Sequence, residues 1–143
     1  MLGALSASAQ TTKGLYVNGF RDIVGDSLKE DTLLRFAQDY GFNYLTLYNL
    51  YHIHTQKFSI TDSAAAQPLA DFIEKAKTQF GIREVGATGE TFSSFTNIDD
   101  YQRDHAANPN QQFDAYNIEF EFWNTGSQAR VATIAPLTLP MRA

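Results

Sequence analysis

Residues 27–50 read SLKEDTLLRFAQDYGFNYLTLYNL, a helix that runs into a strand, and this unit decides the fold. Ser27 and Glu30 have capping-box spacing, with Ser27 expected as N-cap and Glu30 reaching back to its amide. Leu33, Phe36, Ala37 and Tyr40 follow at i, i+3, i+4 and i+7, one apolar helical face. Gly41 stands where the chain leaves the helix in a left-handed conformation. From Tyr44 to Leu50 the composition turns aromatic and branched, as a strand requires.

Outward from that unit the pattern repeats. Residues 15–20, LYVNGF, form a short strand on the amino-terminal side. On the other side Leu69, Phe72, Ile73, Ala76 and Phe80 make a second amphipathic helix, ended by Gly81. A third strand is expected over Ile82–Thr88, and a weaker third helix over 97–107 with Ile98 and Tyr101 inward. The remaining acids and histidine of that helix, Asp99, Asp100, Asp104 and His105, read as its solvated face. Phe113–Phe122 is the fourth strand. Strands alternating with helices of this length predict an α/β fold of βα units, with parallel strands and right-handed crossovers. Two closures fit: an open sheet, or the first half of a (β/α)8 barrel. A complete barrel takes about 250 residues, against the 143 of this chain. In both closures ligands bind at the carboxyl ends of the strands.

Composition narrows the class. The chain carries 11 basic and 16 acidic side chains, a net charge of −5, and has no Lys/Arg cluster, which excludes a dedicated nucleic-acid partner. At 43% hydrophobic and 13% aromatic it can build a core. No apolar run approaches the roughly 20 residues of a membrane span. The absence of cysteine removes disulfides, thiolate zinc sites and cysteine nucleophiles. Gly86-Ala87-Thr88-Gly89 suits a tight turn but lacks the residues of a phosphate loop, and no cofactor is expected.

The ends differ from the middle. Residues 1–10, MLGALSASAQ, include Ala7-Ser8-Ala9, a small-x-small pattern that reads as a signal-peptide remnant. The protein is accordingly expected to be secreted, periplasmic or on the cell surface of a bacterium. All acidic residues precede position 122, whereas residues 125–143 hold Arg130, Arg142 and two prolines without periodicity. That shift places a domain over 11–124 and makes the remainder a linker or the product of a shifted reading frame.

The fourth strand carries the chemistry. In FDAYNIEFEF, residues 113–122, alternation puts Tyr116, Ile118, Phe120 and Phe122 on one face, expected under the helices. Asn117, Glu119 and Glu121 share the other face. Two carboxylates two residues apart on a covered strand are costly unless a site uses them.

Here the sequence resembles the fourth barrel strand of the family 18 glycoside hydrolases, the chitinase-like proteins. Their signature, D-x-x-D-x-D-x-E after a Phe, aligns without a gap on Phe113 to Glu121. The resemblance implies Glu121 as general acid, with Glu119 and Asn117 in the places of two aspartates that orient the substrate and tune the acid. Asp114 matches the first aspartate, and Glu90 and Trp123 would face a carbohydrate ligand at the strand ends. Asn117, Glu119 and the missing S-x-G-G of the third strand depart from the family pattern, and no turnover is expected of this chain alone because strands five to eight would supply half the residues around the substrate. Half a barrel also leaves strand edges open, from which self-association is expected.

Two alternatives remain open at this point. A non-catalytic glycan-binding module would explain the altered acids. A metal-dependent hydrolase would use His52-Ile53-His54, two imidazoles alternating on extended chain. Tyr48, Tyr51, Phe92, Phe95, Tyr116 and Trp123 are candidate stacking surfaces for sugar rings.

Overall fold

The computed structural model describes residues 11–50 and 59–119. Four strands, β1 (Gly14–Val17), β2 (Tyr44–Leu47), β3 (Glu84–Gly89) and β4 (Ala115–Ile118), alternate with three helices. The helices are α1 (Ser27–Asp39), α2 (Gln67–Gln79) and α3 (Phe92–Asp104). The strands pair in chain order, β1-β2-β3-β4, and all three pairings are parallel. This is the expected α/β architecture of successive βα units. Its boundaries differ from the expected ones: the strands are shorter, and α3 begins earlier because Thr91 caps it through Ser94 N at 3.2 Å.

The start of α1 shifts by one residue. Asp26, not Ser27, is the N-cap, its carboxylate accepting from Leu28 N and Lys29 N at 3.2 and 3.3 Å. Glu30 reaches back to Gly25 N at 2.8 Å. An acceptor with two oxygens and a formal charge outcompetes a serine hydroxyl at this position. The buried face of α1 is rotated as well: Leu34, Ala37 and Glu30 are buried, Leu33 is half-buried, and Phe36 and Tyr40 are exposed. Glu30 tolerates burial because Gly25 N and, at 3.5 Å, Lys75 of α2 meet its carboxylate. The second helix follows its sequence pattern, with Leu69, Ala70, Phe72, Ile73 and Ala76 buried. Gly41 and Gly81 end α1 and α2 at φ of 71° and 72°, where a side chain would be strained.

The core lies between the helices and one face of the sheet. Leu45, Leu47, Val85 and Ala87 are fully buried there, and Phe20 packs on Phe72 with ring centroids 4.8 Å apart. Each of these phenylalanines contributes roughly 1.5–3 kcal/mol by leaving water. On the opposite face Tyr44 lies across β3, possible only because position 86 is glycine: a Cβ there would sit 2.5 Å from the Tyr44 hydroxyl. That face is also concave. β1 and β4 are three strand spacings apart, about 14 Å in a flat sheet. Yet the Tyr16 hydroxyl on β1 donates to Glu119 just past β4 at 2.5 Å. The curvature is that of a half barrel.

Two expectations about surface change. Tyr116 and Ile118 lie on the helix side of β4 but are 48% and 66% exposed, because β4 is an edge strand among the described residues. His105 is buried rather than solvated: its ring stacks on Tyr101 at 4.2 Å and its Nδ1 lies 3.0 Å from the Tyr101 carbonyl. Asp99 likewise has a partner, the Tyr116 hydroxyl at 2.5 Å.

Candidate functional site

Strand alternation assigns the concave face. Val17, Leu47 and Ala87 point into the core, so the residues beside them in sequence, Tyr16, Tyr48 and Thr88, point the other way. On β4 the same parity selects Asn117. Glu119 continues the ladder one residue beyond the strand, its N–H donating to Gly89 O at 3.1 Å. The carboxyl ends of four parallel strands thus carry Tyr16, Tyr48, Glu90, Asn117 and Glu119 into one concavity.

Hydrogen bonds organise these groups into two phenol–carboxylate pairs. Tyr16 donates to Glu119 Oε2, and Tyr48 donates to Glu90 Oε1. The two tyrosine rings lie beside each other, centroids 5.8 Å apart and tilted by 33°. Asn117 Nδ2 contacts the buried Thr88 hydroxyl at 3.4 Å, which orients the amide along the floor. Burial of its hydroxyl, then the Glu119 hydrogen bond and charge, then Tyr48 and Glu90, hold the Tyr16 phenol well above its usual range. Tyr16 therefore stays protonated and acts as donor. Glu119 spends part of its acceptor capacity on the Tyr16 phenol and keeps the rest for other donors, such as sugar hydroxyls or amides.

The residues expected from sequence fall into three groups. Glu119, Asn117 and Glu90 are brought together on the concave face. Asp114 is placed elsewhere: it opens β4 at the amino end of the sheet, where it accepts from Val85 N at 2.8 Å and pairs with Lys77 Nζ at 2.8 Å. Lys77 also donates to Gln112 O at 2.7 Å, so this carboxylate fastens α2 and the entry to β4 rather than facing a ligand. Glu121 and Trp123 lie outside the described residues, as do His52 and His54. Among the described residues, no group of three or more metal-capable side chains converges.

The aromatic candidates also divide. Phe95 packs under Gly89 and against Tyr116, with ring centroids 6.0 Å apart, and serves packing. Phe92, directly after the Glu90-Thr91 turn, is 66% exposed at the start of α3. Tyr16 was not singled out by sequence, although its signal was legible. It alternates with Leu15 and Val17 on a strand whose apolar residues name the core face. No protein-family profile, curated protein or solved structure matches this chain.

Proposed function

We propose that this chain is the amino-terminal half of a secreted, glycoside-hydrolase-like barrel that binds polysaccharide at the carboxyl ends of its strands. The observation that carries the reading is the Tyr16–Glu119 hydrogen bond, which spans the concavity from the first strand to the end of the fourth. It turns the carboxylate that aligns with the chitinase-like signature onto the concave face, beside Asn117 and the Tyr48–Glu90 pair. Glu121, two residues further on, is the proposed general acid of a complete barrel. The 143-residue chain is proposed to bind glycan without cleaving it, because Glu119 and Asn117 depart from the aspartates of that signature.

Trp123, the single tryptophan of the chain, makes the test direct. Its fluorescence is expected to shift saturably on titration with N-acetylglucosamine oligomers and not with cellulose oligomers of equal length. Glu119→Gln is expected to weaken binding about tenfold, the worth of one charge-assisted hydrogen bond. Saturable binding with no release of shorter sugars supports the reading. No saturable response by fluorescence or calorimetry overturns it.

A further inference from the structure

From the turn that follows β1 we infer a modification site: in the folded chain Asn18 converts spontaneously to aspartate and isoaspartate, through a cyclic imide closed by the Gly19 amide. This inference is independent of what the concave face binds.

Asn18-Gly19 is the one asparagine–glycine pair among the eight asparagines of the sequence. The imide forms when the backbone nitrogen of the following residue reaches the asparagine Cγ, and a side chain on that residue obstructs the approach. Asn18 is exposed and stands directly after Val17, the last residue of β1. Gly19 has φ of 72°, and a Cβ added to it would meet only the Asp22 carboxylate, at 3.7 Å. The space around the attacking nitrogen is therefore open. Among the described residues, no hydrogen bond holds the Asn18 side chain or the Gly19 N–H in place.

The other described asparagines are tied. Asn43 Oδ1 accepts from Lys13 N at 2.9 Å, and its Nδ2 donates to Thr11 O at 3.0 Å. Asn97 and Asn117 lie inside α3 and β4, where regular backbone fixes the next amide. Asn108 precedes Pro109, which has no N–H to lose. Asn110 precedes Gln111, whose N–H donates to Asn108 O at 2.9 Å. Asn49 precedes Leu50, whose branched side chain is fully buried.

Water is the only co-reactant. The Gly19 nitrogen loses its proton to hydroxide and bonds to Asn18 Cγ. The Cγ–Nδ2 bond breaks, and Nδ2 leaves as ammonia with a proton from water. Water then opens the imide: addition at Cγ gives aspartate, and addition at the main-chain carbonyl gives isoaspartate, whose backbone is one atom longer. Either product makes the net charge of −5 one unit more negative. That charge arrives two residues from Tyr16, at the end of the sheet where this topology holds ligands. The extra backbone atom of isoaspartate falls between Val17 and Phe20, both buried, so the short turn between two fixed anchors has to absorb it.

The whole chain, incubated for days at mildly alkaline pH and followed by peptide mapping, is expected to convert at position 18 faster than at any other described asparagine. Labelling with an isoaspartyl methyltransferase reads the isoaspartate, and a more acidic species accumulates on ion exchange. Asn18→Gln keeps an exposed amide but needs a six-membered ring, and is expected to lose the conversion with unaltered circular dichroism. The same chain in urea gives the behaviour of unfolded backbone. Conversion at position 18 in urea but not in the folded chain overturns the inference, as does another described asparagine converting equally fast. The isoaspartate fraction is expected to melt below both the parent chain and Asn18→Asp, and equal melting overturns the strain between the buried anchors.

Discussion

The two ends of this sheet use carboxylates differently. At the amino end, Asp114 meets a lysine and a backbone amide at 2.8 Å each, and Lys77 beside it keeps only 9% of its side-chain surface exposed. At the carboxyl end, Glu119 accepts from the Tyr16 phenol, a neutral donor that leaves its charge in place, and Glu90 accepts from Tyr48. The first arrangement neutralises charge and locks two elements together. The second fixes the direction of each carboxylate on the concave face. The same side-chain chemistry serves cohesion at the amino end and lines the concave face at the carboxyl end, the end at which sheets of this topology hold ligands.

The contrast is sharpest in stability. Asp114→Ala takes the counter-charge from Lys77, which keeps the Gln112 carbonyl, and removes the side-chain acceptor of the Val85 amide, and is expected to cost about 2–3 kcal/mol. That is less than the 3–5 kcal/mol of a fully buried broken pair, since the Asp114 side chain is 34% exposed. Thermal unfolding is expected about 6–10 °C lower. Gly89→Ala comes next and probes the packing of the carboxyl end. A Cβ there would sit 2.9 Å from the Phe95 ring, so α3 has to shift, at about 1–3 kcal/mol in urea unfolding. Tyr16→Phe is expected to have the smallest effect, below about 1 kcal/mol, because the ring is 45% exposed and only one hydrogen bond is lost. Were Tyr16→Phe to cost more than Asp114→Ala, the carboxyl end and not the amino end would be the cohesive one.

Alkaline titration extends the comparison. Burial first, aided at Tyr16 by Glu119 and at Tyr116 by Asp99, raises the phenols of Tyr16, Tyr101 and Tyr116 above their usual range. Above pH about 10 the unfolded chain releases these protons while the folded chain retains them. The unfolded state then binds fewer protons, so stability is complete below that pH and falls as pH rises beyond it. Tyrosinate absorbance is expected to show one late-titrating phenol fewer in Tyr16→Phe than in the parent chain.

Much of the fold could be read directly. The i, i+3, i+4 face of α2, Gly41 and Gly81 at helix ends, and the inward Ile98 and Tyr101 all follow from local periodicity and backbone geometry. The rotation of α1 was not legible, because Leu33 and Leu34 offer two apolar faces that differ by about 100°. The neighbour decided between them, through the Asp31–Lys75 and Glu30–Lys75 pairs. Similarly, alternation gave Asn117 and Glu119 one face of the fourth strand, whereas the role of Asp114 depended on a lysine 37 positions away.

The sequence by itself determined the order of elements, the parallel sheet and the face on which Glu119 projects. Those properties arise from helical and strand periods that each segment carries within itself. Only the tertiary structure decided the curvature that joins Tyr16 to Glu119, the pairing of Tyr48 with Glu90 and the burial of His105. Each of these depends on groups that chain folding brings together, through packing and hydrogen bonds that no local period encodes.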